Sequence, residues 1–285
     1  MNDDVDKTAA ERSTSPDLTI FHDYDYENDD RSVGDFAPAY VIEFAGAGRK
    51  ILELGAGSGM QTKYLAAGEK NTVIAADINK ASVEKLRRFT PHAYHIDLND
   101  PTWPQTFAEE GQFDTIIAAD VLEHLYDPWS TLATMMTLLR ENGEIILSLP
   151  YIGNASILGL ISDDNFHYRE EGLLDKTHIR FFGLRNISQL HEDAGLKIVD
   201  ARFVLRPPHT TEFHPHWNGL PQLLKSALTI NPRSDIYQVV TRARRAEDAV
   251  ASIDLLAAAD RRCPPRKLTL RQRIAYALLG KEVSP

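Results

Sequence analysis

Residues 51–60, ILELGAGSGM, run a short apolar stretch straight into Gly55-Ala56-Gly57-Ser58-Gly59. A buried strand that ends in glycines lets the backbone turn sharply and approach a ligand with no Cβ in the way. The spacing predicts a helix from about Met60, whose unpaired N–H groups and positive dipole end face whatever occupies the loop. One rival is the dinucleotide fingerprint G-x-G-x-x-G. In this chain the third glycine comes one residue early, and Met60 stands where that fingerprint requires glycine.

Working outward, short runs rich in Ile, Leu, Val and Ala recur at 51–54, 72–76, 93–96, 115–119 and 144–149. Segments 81–89 and 129–139 between them have helical spacing. Near-continuous apolar strands alternating with helices predict an α/β doubly wound, Rossmann-like sheet buried on both faces. A first helix is expected over 36–47, a helix over 184–194 before a strand at 197–205, and one more strand at 235–242. The Pro- and His-rich stretch 206–233, with a short apolar helix at 220–228, reads as an insertion between the last two strands. Residues 145–162 carry no charge and are long enough to cross a bilayer, but Pro150, Gly153 and Asn154 interrupt them. They predict a turn between a buried strand and a helix.

The 285 residues suit one large α/β domain, taken as 18–245 with a lid at 18–47, and a helical extension at 246–285. The net charge of −10 gives the whole molecule no electrostatic footprint for nucleic acid. Ten acids against two bases in the first thirty residues mark 1–17 as a disordered acidic tail. From Arg242 onward there are ten bases against five acids. Helices are expected at 246–259 and 268–280, the second placing Leu270, Ile274 and Leu278 on one face beside Arg271 and Arg273. Such a helix packs on the body, on a second subunit or on an anionic membrane surface. Cys263 is the only cysteine, which excludes an intrachain disulfide and a thiolate metal cluster. No basic segment leads into an apolar stretch at the start, so a cytoplasmic protein is expected.

The acids supply the context that the glycines lack. The second strand ends at Asp77, where a carboxylate can accept hydrogen bonds from both ribose hydroxyls. The third runs through His95-Ile96 to Asp97, and the fourth ends at Asp120 before Val121-Leu122-Glu123-His124. In an open parallel sheet, ligands gather at the carboxyl ends of the strands, so this order favours a nucleoside.

ELGAGSG, the acid at Asp77, HIDL and FDTIIAADVLEHLYDP resemble the successive motifs of class I S-adenosylmethionine (SAM)-dependent methyltransferases. The resemblance implies seven strands, mostly parallel with the last antiparallel, and S-adenosyl-L-methionine as cofactor. It implies that Glu53, Gly55, Ala56, Gly57 and Gly59 face the methionine part, and that Asp77 and Ile78 meet the ribose. Asp97 and Leu98 would meet the adenine, with Asp120 and Val121 as the floor. More narrowly, GLLDKTHIRFFGL at 172–184 resembles methyltransferases encoded among bacterial cell-surface glycan genes. That likeness implies a sugar or glycan-lipid acceptor, and makes Tyr24, Tyr26 and Arg31 candidate lid residues.

An alcohol must lose its proton as it attacks, and His124 and His178 are the candidate bases. Asp120, Glu123, His124 and His178 also resemble the E-x-x-E-H set, with a later His, of metal-assisted methyltransferases acting on RNA 2′-hydroxyls or quinol rings. His209, His214 and His216, beside Trp217, have no zinc spacing and read as surface residues. The alternatives are a quinone or small-metabolite O- or N-methyltransferase, and a non-catalytic SAM-binding partner protein. The latter would show a damaged glycine loop or missing strand-end acids. Calorimetry should show binding of SAM and S-adenosylhomocysteine but not NAD; binding of NAD alone would overturn the nucleoside reading.

Overall fold

The computed structural model describes residues 36–69 and 71–263. Helix α1 (Ala37–Ala45) carries a proline in its first turn, where the missing N–H costs nothing. It leads to β1 (Lys50–Leu54), α2 (Met60–Leu65) and β2 (Thr72–Asp77). Asn79 caps α3 (Lys80–Leu86) by accepting the Ala81 and Ser82 N–H bonds. Next come β3 (Ala93–His95) and β4 (Phe113–Ala119). Asp127 caps α4 (Pro128–Leu138), and β5 (Leu139–Pro150) follows directly. Asn154 caps α5 (Ala155–Ser162), so the uncharged run is indeed a strand, a turn and a helix. Helix α6 (Leu184–Asp193) and β6 (Leu196–Leu205) precede the short helices α7 (His214–Gly219) and α8 (Gln222–Leu228). The chain then forms β7 (Ile236–Arg245) and α9 (Leu255–Arg262).

The seven strands lie in the order β3-β2-β1-β4-β5-β7-β6. All described pairings are parallel except those of β7, which runs antiparallel to both neighbours. The expected sheet is thus the observed one. Alternation along each strand divides the core. Leu52, Ile74, Ile116, Ile145 and Leu147 face α4, α6 and α9. Ile51, Val73, Ile117 and Ile146 face α1 and α2 on the other side. With both faces buried, the strands have no polar side to show, which is why they read as continuous apolar runs.

One expectation fails. A helix was anticipated at 246–259, but the chain stays irregular until Asp254 caps α9. The intervening N–H groups of Ala246 and Ile253 bond to Gly195 and Ile198 carbonyls at 2.9 Å each. Bonding to Ile198 in β6 takes the Ile253 N–H, a donor that a continuous helix would need. Leu255, Ala259 and Cys263 then join the same core as α6. Residues 268–280 and the lid candidates Tyr24, Tyr26 and Arg31 lie outside the described residues. Among the described residues no helix is long and apolar enough to cross a membrane.

Buried His191 ties α6 to β7. Its Nδ1–H donates to the Ile187 carbonyl at 2.7 Å, and Nε2 accepts from Thr241 Oγ1 at 3.1 Å. Burial lowers its pKa to about 4. The unfolded chain therefore binds a proton between about pH 6.5 and 4 that the folded chain refuses, so this contribution to stability is complete above that window and is lost as pH falls through it. The full contribution is about 3 kcal/mol. Urea unfolding at pH 7 and 4.5 should show wild type losing roughly 2 kcal/mol more than His191→Leu, which has no such proton to bind. Equal losses would remove this account.

Candidate active site

Gly55, Gly57 and Gly59 have φ values of +67°, +55° and +92°, all in the left-handed region that disfavours a Cβ. At Gly55 a Cβ would stand 2.4 Å from Val121 Cγ2, and at Gly59 2.7 Å from the Phe89 ring. The loop is stitched to β2: Ala56 N–H donates to the Ala76 carbonyl at 3.0 Å, and Gly57 N–H to Asp77 Oδ2 at 2.8 Å. Asp77 Oδ1 accepts from Asn79 N–H at 2.8 Å. Its carboxylate still has unused lone pairs, since it offers about four acceptor positions.

A cavity of about 230 Å³ opens at the strand ends. Gly55, Asp77, Ile78, Asp97 and Leu98 line one part of it, and Asp120, Val121 and His124 another. Ile96, Asn99 and Leu125 also contribute, and the sequence reading missed them. Ile78 is 61% exposed, an apolar side chain offered at the mouth. The remaining predicted residues sit elsewhere. Ala56, Gly57 and Gly59 shape the loop without lining the cavity, and Glu53 is buried and bonded to Thr62 Oγ1 at 2.6 Å. Its Oε1 has no protein partner, and burial pushes its carboxyl up to about 7.

A second cavity of about 630 Å³ shares Asp120 and His124 with the first. Asp120 is held at φ +55° and accepts a hydrogen bond from Gln238. Desolvation by the protein packed around it pushes its carboxyl up to about 6, although the residue stays open at the cavity surface. Glu123 is fully buried, neither carboxyl oxygen has a partner, and desolvation followed by the Asp120 charge raises its pKa well above the usual range. His178 Nε2 lies 3.9 Å from Glu123 Oε1, and the His124 and His178 rings are 4.7 Å apart.

Tautomers follow from the partners. A carbonyl can only accept, so His178, 3.2 Å from the Leu173 oxygen, carries its proton on Nδ1. The Thr177 hydroxyl donates to Asp175 at 2.6 Å, and therefore accepts from His124 Nδ1–H at 3.0 Å. Both rings present a bare Nε2. Burial, then the neighbouring His124, lowers the pKa of His178 and keeps it neutral. One ligand atom each from Glu123, His124 and His178 lies within 4.8 Å of the others.

Other walls come from segments with no motif. Gln238 and Tyr237 stand at the start of β7, and Arg169 and Glu212 come from loops. An antiparallel last strand brings its beginning to the ligand edge, and that topology was the available signal for Gln238. The late histidines do not gather. His214 lines the large cavity, His209 a separate cleft with Trp217, and His216 lies 3.8 Å from Asp163.

The sheet order and the glycine loop at the strand ends define the class I methyltransferase architecture, whose methyl donor is S-adenosyl-L-methionine. A family model described as "Methyltransferase domain" matches residues 27–201, more than half of the chain, and the chain belongs to that family. The ubiquinone biosynthesis O-methyltransferase of Pasteurella multocida is 30% identical over 137 residues, covering 40% of this chain and 56% of that protein. The enzyme of the same name from Acinetobacter baylyi is 28% identical over 172 residues, covering 56% and 69%. The chain thus spans little more than half the length of the first of these relatives. A Burkholderia thailandensis 1,6-didemethyltoxoflavin N1-methyltransferase structure is 18% identical, with a TM-score of 0.46, over 73% of this chain and 76% of that one.

Gly55→Ala should weaken SAM binding by roughly tenfold, equivalent to about 1.4 kcal/mol, because its Cβ meets Val121. Gly57→Ala, whose Cβ meets nothing within 4 Å, should lose less. Calorimetry on both variants gives the order; a reversed order would remove the close-approach argument.

Proposed function

We propose that the chain transfers the methyl group of SAM to a hydroxyl of a polyhydroxylated acceptor, a sugar or glycan-lipid intermediate. The observation that carries this reading is that the two cavities meet at Asp120 and His124, beside two imidazoles with bare Nε2 atoms. The smaller cavity fits the donor. Ile78, Ile96, Leu98 and Val121 offer apolar walls to a heterocycle, and Asp77 and Asp97 offer acceptors to ribose hydroxyls and an adenine amine. Unpartnered Glu53 Oε1 suits a buried ammonium or a bridging water near the methionine end. When bound, SAM supplies an electrophilic methyl group.

The protein's own part is to hold the acceptor oxygen in line and to receive its proton. Positioning provides most of the rate. His124, at the junction, or His178 beside it takes the proton on Nε2. Neutral Glu123 next to His178 leaves that base uncharged. The acceptor reading follows from the larger cavity, where Arg169, Asp175, Arg206, Glu212, His214 and Gln238 offer polar contacts suited to a polyol.

The names of the curated relatives support a second reading, a quinol ring as acceptor. Within either reading, Glu123, His124 and His178 could hold a divalent cation, since neutral imidazole and carboxylate are suitable ligands and both Glu123 oxygens lack partners. The cation would supply Lewis acidity toward an acceptor hydroxyl.

Release of S-adenosylhomocysteine should be measured with hexoses, nucleoside-diphosphate hexoses and catechol. Turnover with the sugars supports the first reading, and turnover with catechol alone replaces it with the second. His124→Ala or His178→Ala should keep SAM affinity while slowing turnover by roughly a hundredfold; if neither slows it, the proton-acceptor role fails. Activity unchanged after exhaustive chelation would remove the cation. A non-catalytic binder would retain SAM and methylate nothing.

A further inference from the structure

Glu212 comes from the loop before α7, far in sequence from the segment that carries His178, yet a single residue, Leu173, lies between their hydrogen bonds. Glu212 Oε1 accepts the Leu173 N–H at 2.8 Å. The carbonyl of the same residue, Leu173, accepts His178 Nδ1–H at 3.2 Å. Tyr237 O–H donates to both Glu212 oxygens, at 3.1 and 3.2 Å, anchoring the carboxylate to β7. Gly172 makes room for this approach. Its φ is +94°, and a Cβ there would stand 2.2 Å from Glu212 Oε1. The carboxylate therefore occupies the space that a side chain at position 172 would fill.

From this chain of contacts we infer that Glu212 is a positioning residue for His178, acting through the backbone of Leu173 to fix the tautomer and direction of the imidazole. The inference rests on the reading that His178 works through Nε2, whether as proton acceptor or as cation ligand. In both roles Nε2 must be bare, so Nδ1 must keep its proton, and the group bonded to Nδ1 decides this. The Leu173 carbonyl is that group. Its direction depends on where its own residue is held, and Glu212 holds the N–H end. His178 is held from the other side as well: the next two N–H groups, of Ile179 and Arg180, donate to the Glu123 carbonyl at 2.9 and 3.0 Å. Backbone bonds of Arg169 to Leu174 and of Asp175 to Gly172 hold the turn around Leu173, and Glu212 adds the side-chain bond at the Leu173 N–H itself.

The test is long-range proton–nitrogen NMR of the histidine rings, with His178 assigned by comparison with His178→Ala. Wild type should show His178 as the Nδ1–H tautomer. In Glu212→Ala this signature should give way to the other tautomer or a mixture. Glu212→Gln keeps an acceptor for Leu173 N–H and should retain it. Should Glu212→Ala fail to fold, Gly172→Ala displaces the same carboxylate and should give the same loss of signature. An unchanged Nδ1–H tautomer in the folded Glu212→Ala or Gly172→Ala protein overturns the inference. Full turnover in His178→Ala overturns the role proposed for the histidine instead, and is distinguishable because the tautomer is read without turnover.

Discussion

Between β1 and β4 the sheet reverses its order of construction, and there the Gly55 backbone comes so close to Val121 that a Cβ would stand 2.4 Å from its methyl group. Strands added before and after this point lead their connections to opposite faces, leaving a crevice above the carboxyl ends. The crevice survives only because the chain leaves β1 without a side chain. Asp77 holds the resulting turn by accepting the Gly57 N–H, so the acid that faces the cavity also keeps the loop in shape. Loop geometry and ligand contact are thus coupled through one carboxylate.

This edge is also where buried acids go unpaired. Glu144 is as deeply buried as Glu53, yet Arg244 reaches it with two bonds at 2.9 and 2.6 Å. Glu53 and Glu123 have no such cation, and each keeps at least one orphaned oxygen. An unpaired carboxyl in a protein interior raises its pKa rather than hold its charge, as both do. The contrast separates a structural acid from acids arranged for a ligand. An orphaned buried carboxyl in a native fold calls for an explanation, and the proposed ligand reading gives one for Glu53 and Glu123.

The strands were legible because burial on both faces writes an apolar run into each of them. The glycines and strand-end acids were legible because their positions follow from those runs, and Gly55, Asp77, Asp97, Asp120 and Val121 do surround one cavity. Local periodicity failed where long-range pairing took over. Residues 246–253 look helical but bond along β6, and β5 begins at Leu139 rather than Glu144 because a bulge with Asn142 at φ +58° shifts the register. The helix His214–Gly219 has no apolar stripe to announce it; Trp217 is its only buried residue.

The walls of the larger cavity were hidden for a different reason. Six strands deliver their carboxyl ends to the ligand edge, whereas β7 delivers its beginning, with Pro150 paired to Gln238. Gln238 therefore meets Ser148 and Asp120, the latter a residue that both cavities share. Tyr237, one residue earlier on the same strand, meets Glu212 in the wall of the larger one. Both residues of this dipeptide line the larger cavity, and Gln238 reaches on to the shared Asp120. Reversing one strand thus joins Asp120, shared by both cavities, to Glu212 in the wall of the larger one. An all-parallel sheet would place the far end of β7 here and lose both connections.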